Sequence, residues 1–183
     1  MLVVHNSNSV FDNALFKEIK NYPAPCLNKP KGGLWTSPLD SRYSWKNWCE
    51  KNEPSFLKSN LYLYNFQGKI LEINDSKDLY NLPVVIYNLL ELSGDKLENP
   101  EEYDSSIFIS KIIYYQDLDE NTLPYTSCLT FDYEAISKEY DALYLTVNAM
   151  SKLKYNLFLN FYAWDCETVL ILNPQNLKFI KQI

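Results

Sequence analysis

CETVLILNPQNL (166–177) places a carboxylate, Glu167, at the head of an apolar run that closes on Asn173-Pro174. The run is short and rich in β-branched and aliphatic residues, which is strand composition, and Asn-Pro is a good strand terminator. A strand is therefore expected over 166–172. A charge at the mouth of a buried strand is costly unless water or a partner meets it. Glu167 is either a solvated edge residue or a carboxylate with a use.

Working outward, the chain reads as short strands with few helices. A strand is expected at 2–5, then an amphipathic helix over 9–22, with Phe11, Leu15, Phe16 and Ile19 on one face. Ser9 or Asp12 would cap it, and Pro23 and Pro25 would end it. After a loop at 26–32, a short strand covers 34–37, and 41–49 reads as a helix with Trp45 and Trp48 at i, i+3. NLYLYNF (60–66) alternates, Gln67-Gly68 is turn chemistry, and KILEI (69–73) alternates back, so a hairpin is expected. Asp75 or Ser76 caps a turn near Asp78, while 84–118 is ambiguous around an acidic polar loop at 93–106. A helix at 132–140, a strand at 143–147 and a loop at 148–160 lead to the last strand. No βαβ alternation runs through this order, which predicts an α+β fold in a single domain, 1–183.

Composition narrows the function classes. A net charge of -6 disfavours nonspecific binding to nucleic acid or anionic membranes. Aromatic content of 15% is high, and Tyr and Trp serve binding clefts as well as cores. The cysteines at 26, 49, 128 and 166 show no short pairing, and one histidine cannot complete a zinc set, so no metal is expected. The four glycines cannot build a dinucleotide-binding or Walker-type loop, and no G-x-S-x-G is present. The start of the chain is too short for a signal-peptide apolar region, and 82–90 is too short to span a bilayer. The expectation is a cytoplasmic protein with no membrane partner. The acidic residues Asp132, Glu134, Glu139 and Asp141 read as a solvated helix face.

Three fragments fit one chemistry: His5 in LVVHNS (2–7), Trp35 in GGLWTSPLDSRYSW (32–45), and Glu167. Cleavage of the nicotinamide–ribose bond of NAD passes through an oxocarbenium-like transition state. A fixed carboxylate near that ribose stabilises the growing charge. Flat aromatic side chains can hold the leaving base, and a strand-end histidine can anchor the adenosine side.

With these residues in family order, the chain resembles the ADP-ribosyltransferase superfamily, in its diphtheria-toxin and poly-ADP-ribose-polymerase branch. His5-Asn6-Ser7 is similar to the family's His-Gly-Ser/Thr, Gly33-Leu34-Trp35-Thr36-Ser37 to its second element, and Glu167 through Pro174 to its Glu-led strand. The resemblance implies a pair of antiparallel-rich sheets with short flanking helices, and NAD as co-substrate. Its NAD-binding residues would be His5, Asn6, Ser7, Gly33, Leu34, Trp35, Ser44 and Trp45, with Trp48 competing for the second stacking position. Glu167 would be the catalytic glutamate, and Asp165, two residues earlier, would bear on the acceptor. Asn6 in place of glycine and Trp35 in place of tyrosine depart from the pattern. The expected activity is mono-ADP-ribosyl transfer to a macromolecule, protein ahead of nucleic acid. A toxin or phage-encoded or defence-related role fits it, with a cognate antitoxin or defence component as partner. The alternatives are an NAD glycohydrolase and a non-catalytic interaction or inhibitor protein on the same fold.

Overall fold

The run after Glu167 forms a strand whose four residues, Thr168–Ile171, are all buried. A computed structural model describes residues 1–22, 28–88, 109–119, 123 and 127–183. In chain order the first strands are β1 (Leu2–Ser7), β2 (Leu34–Pro38), β3 (Asn60–Phe66), β4 (Ile70–Ile73) and β5 (Pro83–Asn88). They are followed by β6 (Ile109–Tyr114), β7 (Ser127–Phe131), β8 (Ala142–Leu145), β9 (Thr168–Ile171) and β10 (Leu177–Gln182). The described helices are α1 (Trp45–Asn52), α2 (Tyr133–Glu139) and α3 (Val147–Leu153). None is long and apolar enough to cross a membrane.

The fold is α+β. Seven strands form one sheet in the order β10-β3-β1-β2-β9-β8-β4, and β6-β5-β7 form a second. Pairing is antiparallel throughout, except that β4 runs parallel to β8. Successive residues alternate across a sheet. One face of the large sheet sends Leu143, Leu145 and Leu170 into a cluster shared with Val84 and Phe131 of the small sheet. Its other face carries Val3, Leu34, Val169 and Ile171, covered in part by Phe11 and Phe16.

Local chemistry sets the helix starts. Ser44, Asp132 and Thr146 cap α1, α2 and α3, each accepting a backbone N–H of the first turn. Trp45 and Trp48 stack on the surface of α1 with ring centroids 5.1 Å apart, as the i, i+3 spacing predicts. The turn at 76–79 has the expected Asp75 cap, completed by Asp78 as a capping box.

Three expectations need correction, and one strand was not foreseen. The helix over 9–22 is only a single turn, Asn13–Leu15. Its backbone is taken elsewhere: Phe11 N–H goes to the Tyr64 hydroxyl, Lys17 C=O to Gly33, and Lys20 pairs with Lys31. The 60–73 hairpin does not form. β3 pairs with β1 and β10, and β4 pairs with β8, because Gln67 and Lys69 are held by Asn176 and Asp141 rather than by each other. The loop at 148–160 contains most of α3, and β10 was unforeseen. Pro23, Pro25, Cys26 and the loop at 93–106 lie outside the described residues.

Gly32 and Gly33 deliver the chain into β2 with φ of +78° and +70°. A Cβ on Gly32 would stand 2.2 Å from the Glu18 carbonyl oxygen, in a conformation that L side chains rarely adopt. Gly32→Ala is expected to cost about 2 kcal/mol or more. Urea unfolding checks this, and wild-type stability in the variant would contradict it.

Candidate functional site

The fragments singled out in sequence come together because β1, β2 and β9 are neighbours in the large sheet. β1 and β2 pair only at Val3↔Pro38 and Val4↔Ser37, while β1 stays with β3 as far as Ser7↔Asn60. The first two strands therefore part at His5. Its Nδ1 lies 2.9 Å from the Trp35 carbonyl oxygen, across the gap. A carbonyl can only accept, so Nδ1 carries the hydrogen. Burial lowers the His5 pKa, an effect partly offset by that hydrogen bond. A neutral ring with Nδ1–H leaves Nε2 as an acceptor, able to receive a sugar hydroxyl.

Beside this gap lies a cavity of about 510 Å³, within the range of small-molecule sites. His5, Asn6, Trp35, Ser44, Trp45 and Asp165 all line it. Lys29, Lys46, Trp164, Cys166 and Thr168 line it too, and sequence reasoning missed them. Lys29 and Trp164 lie in irregular segments, where no periodicity marks a residue as facing anything.

The aromatic walls are already packed. The Trp35 ring sits 5.0 Å from Trp164 and has the Lys29 ammonium 5.1 Å from its centroid. Trp45 stacks with Trp48 and with Phe56, and Trp45 rather than Trp48 is the one at the cavity. The Ser44 hydroxyl accepts the Asn47 N–H as the α1 cap, which fixes it in place. Asn6 is engaged with the backbone of Lys58 and Asn60. The Cys166 thiol is pushed up by burial, so it is a poor nucleophile near neutral pH.

Ser7, Gly33 and Leu34 line a different hollow of about 410 Å³, and His5 borders both. Among the described residues no His/Cys/Asp/Glu group is arranged to hold a metal.

Glu167 borders the cavity without lining it. Its neighbours Cys166 and Thr168 face in, and its N–H bonds the Tyr43 carbonyl at 2.9 Å. Its own side chain is buried, with Oε1 accepting from the Tyr144 hydroxyl at 2.5 Å. Burial, and then that hydrogen bond, raise the Tyr144 pKa, so the phenol stays a donor. Oε2 takes no hydrogen bond from the described residues. Register sets the faces: Thr36 pairs with Val169 and Trp35 with Leu170. Glu167 thus falls on the Val169 side and Trp35 on the other. The carboxylate inside the cavity is Asp165.

No family model, curated protein or solved structure matches this chain.

The single histidine makes its own state measurable. Burial lowers the folded pKa below the ordinary value near 6.5. The unfolded chain therefore binds the proton first, and the contribution of His5 to stability is full above pH 6.5 and declines as the pH falls below it. Nitrogen-15 NMR should show the Nδ1–H tautomer titrating below 6.5. A normal or raised titration, or the Nε2–H tautomer, would contradict this geometry.

Proposed function

We propose that the chain is a mono-ADP-ribosyltransferase that cleaves the nicotinamide–ribose bond of NAD and passes ADP-ribose to a macromolecule. The observation that carries the reading is the convergence of three sequence-distant fragments. His5, Trp35, Asp165, Cys166 and Thr168 sit on or beside three adjacent strands and line one cavity of dinucleotide-compatible size, with Glu167 at its border. A core-packing account explains why β1, β2 and β9 adjoin. It does not explain why their polar residues border a hollow.

In this reading His5 accepts a hydroxyl of the adenosine ribose at Nε2. Glu167 lies on the sheet face opposite Trp35 with its Oε1 held by Tyr144, so in this reading its Oε2 meets the 2′-hydroxyl of the nicotinamide ribose past the head of β9 rather than inside the cavity. A carboxylate there stabilises the positive charge that develops as neutral nicotinamide leaves. Asp165 lines the cavity, and in this reading it meets the acceptor. The acidic overall charge places protein ahead of nucleic acid as acceptor.

One observation favours a second reading. Glu167 is engaged with Tyr144 on the sheet face opposite Trp35. A binding protein that holds a nucleotide without cleaving it needs no carboxylate at the ribose.

Nicotinamide release and label transfer from NAD separate these. Glu167→Gln keeps shape and removes charge, and it should lower turnover by about 3 kcal/mol of transition-state stabilisation, or roughly a hundredfold. Asp165→Asn should change acceptor labelling more than nicotinamide release. Free ADP-ribose as the main product, with acceptor present, would indicate the glycohydrolase. NAD binding without nicotinamide release from wild type would establish the non-catalytic reading.

A further inference from the structure

We propose that Lys29 is the anchor for the phosphates of the cavity's ligand, which on the NAD reading above is the pyrophosphate of the dinucleotide. The lysine is half-buried in the cavity wall, and its ammonium lies over the Trp35 indole. Among the described residues no carboxylate comes within ion-pair distance of it. A cation partly removed from water, with only an aromatic face as its close partner, is poised to receive an anion. Its three N–H donors suit phosphate oxygens.

Lys46, the other ammonium on the cavity wall, is different. It stands in water on the surface of α1 with Glu50 beside it at 3.7 Å, so a carboxylate already competes for it and burial does not poise it. Burial disfavours the charged form of His5. Lys29 is therefore the uncommitted cation of the wall, and Asp165 the charge that opposes it. Burial lowers the Lys29 pKa, while Asp165 raises it in part.

The base of this side chain is fixed. Asn28, buried with a left-handed φ of 38°, accepts the Phe131 N–H at its Oδ1 at 3.0 Å. Its carbonyl accepts the Trp164 indole N–H at 2.8 Å and the Tyr133 hydroxyl. Trp164 in turn packs on Trp35. One buried residue thus sets both the root of Lys29 and the aromatic wall beneath its ammonium. That arrangement preorganises the cation and lowers the ordering cost of binding.

Calorimetric titration of the full chain with NAD, ADP-ribose, inorganic pyrophosphate and adenosine tests this, using wild type, Lys29→Gln and Lys29→Arg. The glutamine variant should lose about tenfold or more in affinity for NAD and ADP-ribose, and for adenosine stay within about twofold. The arginine variant keeps the charge and should recover most of the loss, while unchanged adenosine affinity in the glutamine variant separates the anchor from a merely structural lysine. Wild-type NAD affinity in Lys29→Gln overturns the anchor and leaves the NAD reading standing. Lys29-dependent binding of pyrophosphate, with no binding of NAD or ADP-ribose, upholds the anchor and removes the dinucleotide. Wild type binding none of the phosphorylated ligands overturns both.

Discussion

The antiparallel pairing of β2 with β9 is the constraint on which the rest depends. It joins residues 133 positions apart, as in the Thr36 hydroxyl bond to the Val169 carbonyl at 2.6 Å. Without it the large sheet would have no centre, since β1 and β3 lie on one side of the pair and β8 and β4 on the other. The same pairing brings the 164–168 segment beside Trp35, and so builds the cavity. Contacts of such sequence separation carry a loop-closure cost, which the buried run Val169, Leu170 and Ile171 must offset.

The parting of β1 from β2 is the second device. A sheet that remained zipped past Val4 would bury the Trp35 carbonyl in a ladder bond. Because it opens, a side chain takes that carbonyl, and His5 acquires a defined tautomer at the edge of two hollows. Asn28 performs the matching task on the far wall, satisfying an indole, a phenol and a strand N–H at once. The cavity is framed by backbone groups that side chains have been recruited to satisfy.

Much of this was legible in sequence, and the failures have physical causes. β9 declared itself because a strand buried on both faces is continuously apolar. The cap at Asp75 was readable from local chemistry. The supposed hairpin was not, because alternation marks a strand but not its partner. β3 and β4 carry strand patterns on either side of Gly68 and still pair with different neighbours. The helix over 9–22 failed because apolar spacing cannot reveal that Lys31 and Gly33 will claim the same backbone groups. β10 was hidden by its exposure, since beyond Leu177 its residues face solvent and carry no pattern. At the site, His5, Trp35, Trp45 and Asp165 were found by motif. Lys29 and Trp164 were not, because their placement is tertiary and rests on Asn28.

Glu167 is where the account is most exposed. Its position at the head of β9 fits a catalytic carboxylate, and its bond to Tyr144 fixes one of its two oxygens. A crystal structure of the chain with a non-cleavable NAD analogue addresses the matter most directly. The account predicts the analogue in the cavity beside Trp35 and Trp164, its pyrophosphate on Lys29, and Glu167 Oε2 within hydrogen-bond distance of the nicotinamide ribose 2′-hydroxyl. An empty cavity at saturating analogue, or a nicotinamide ribose beyond the reach of Glu167, would contradict it.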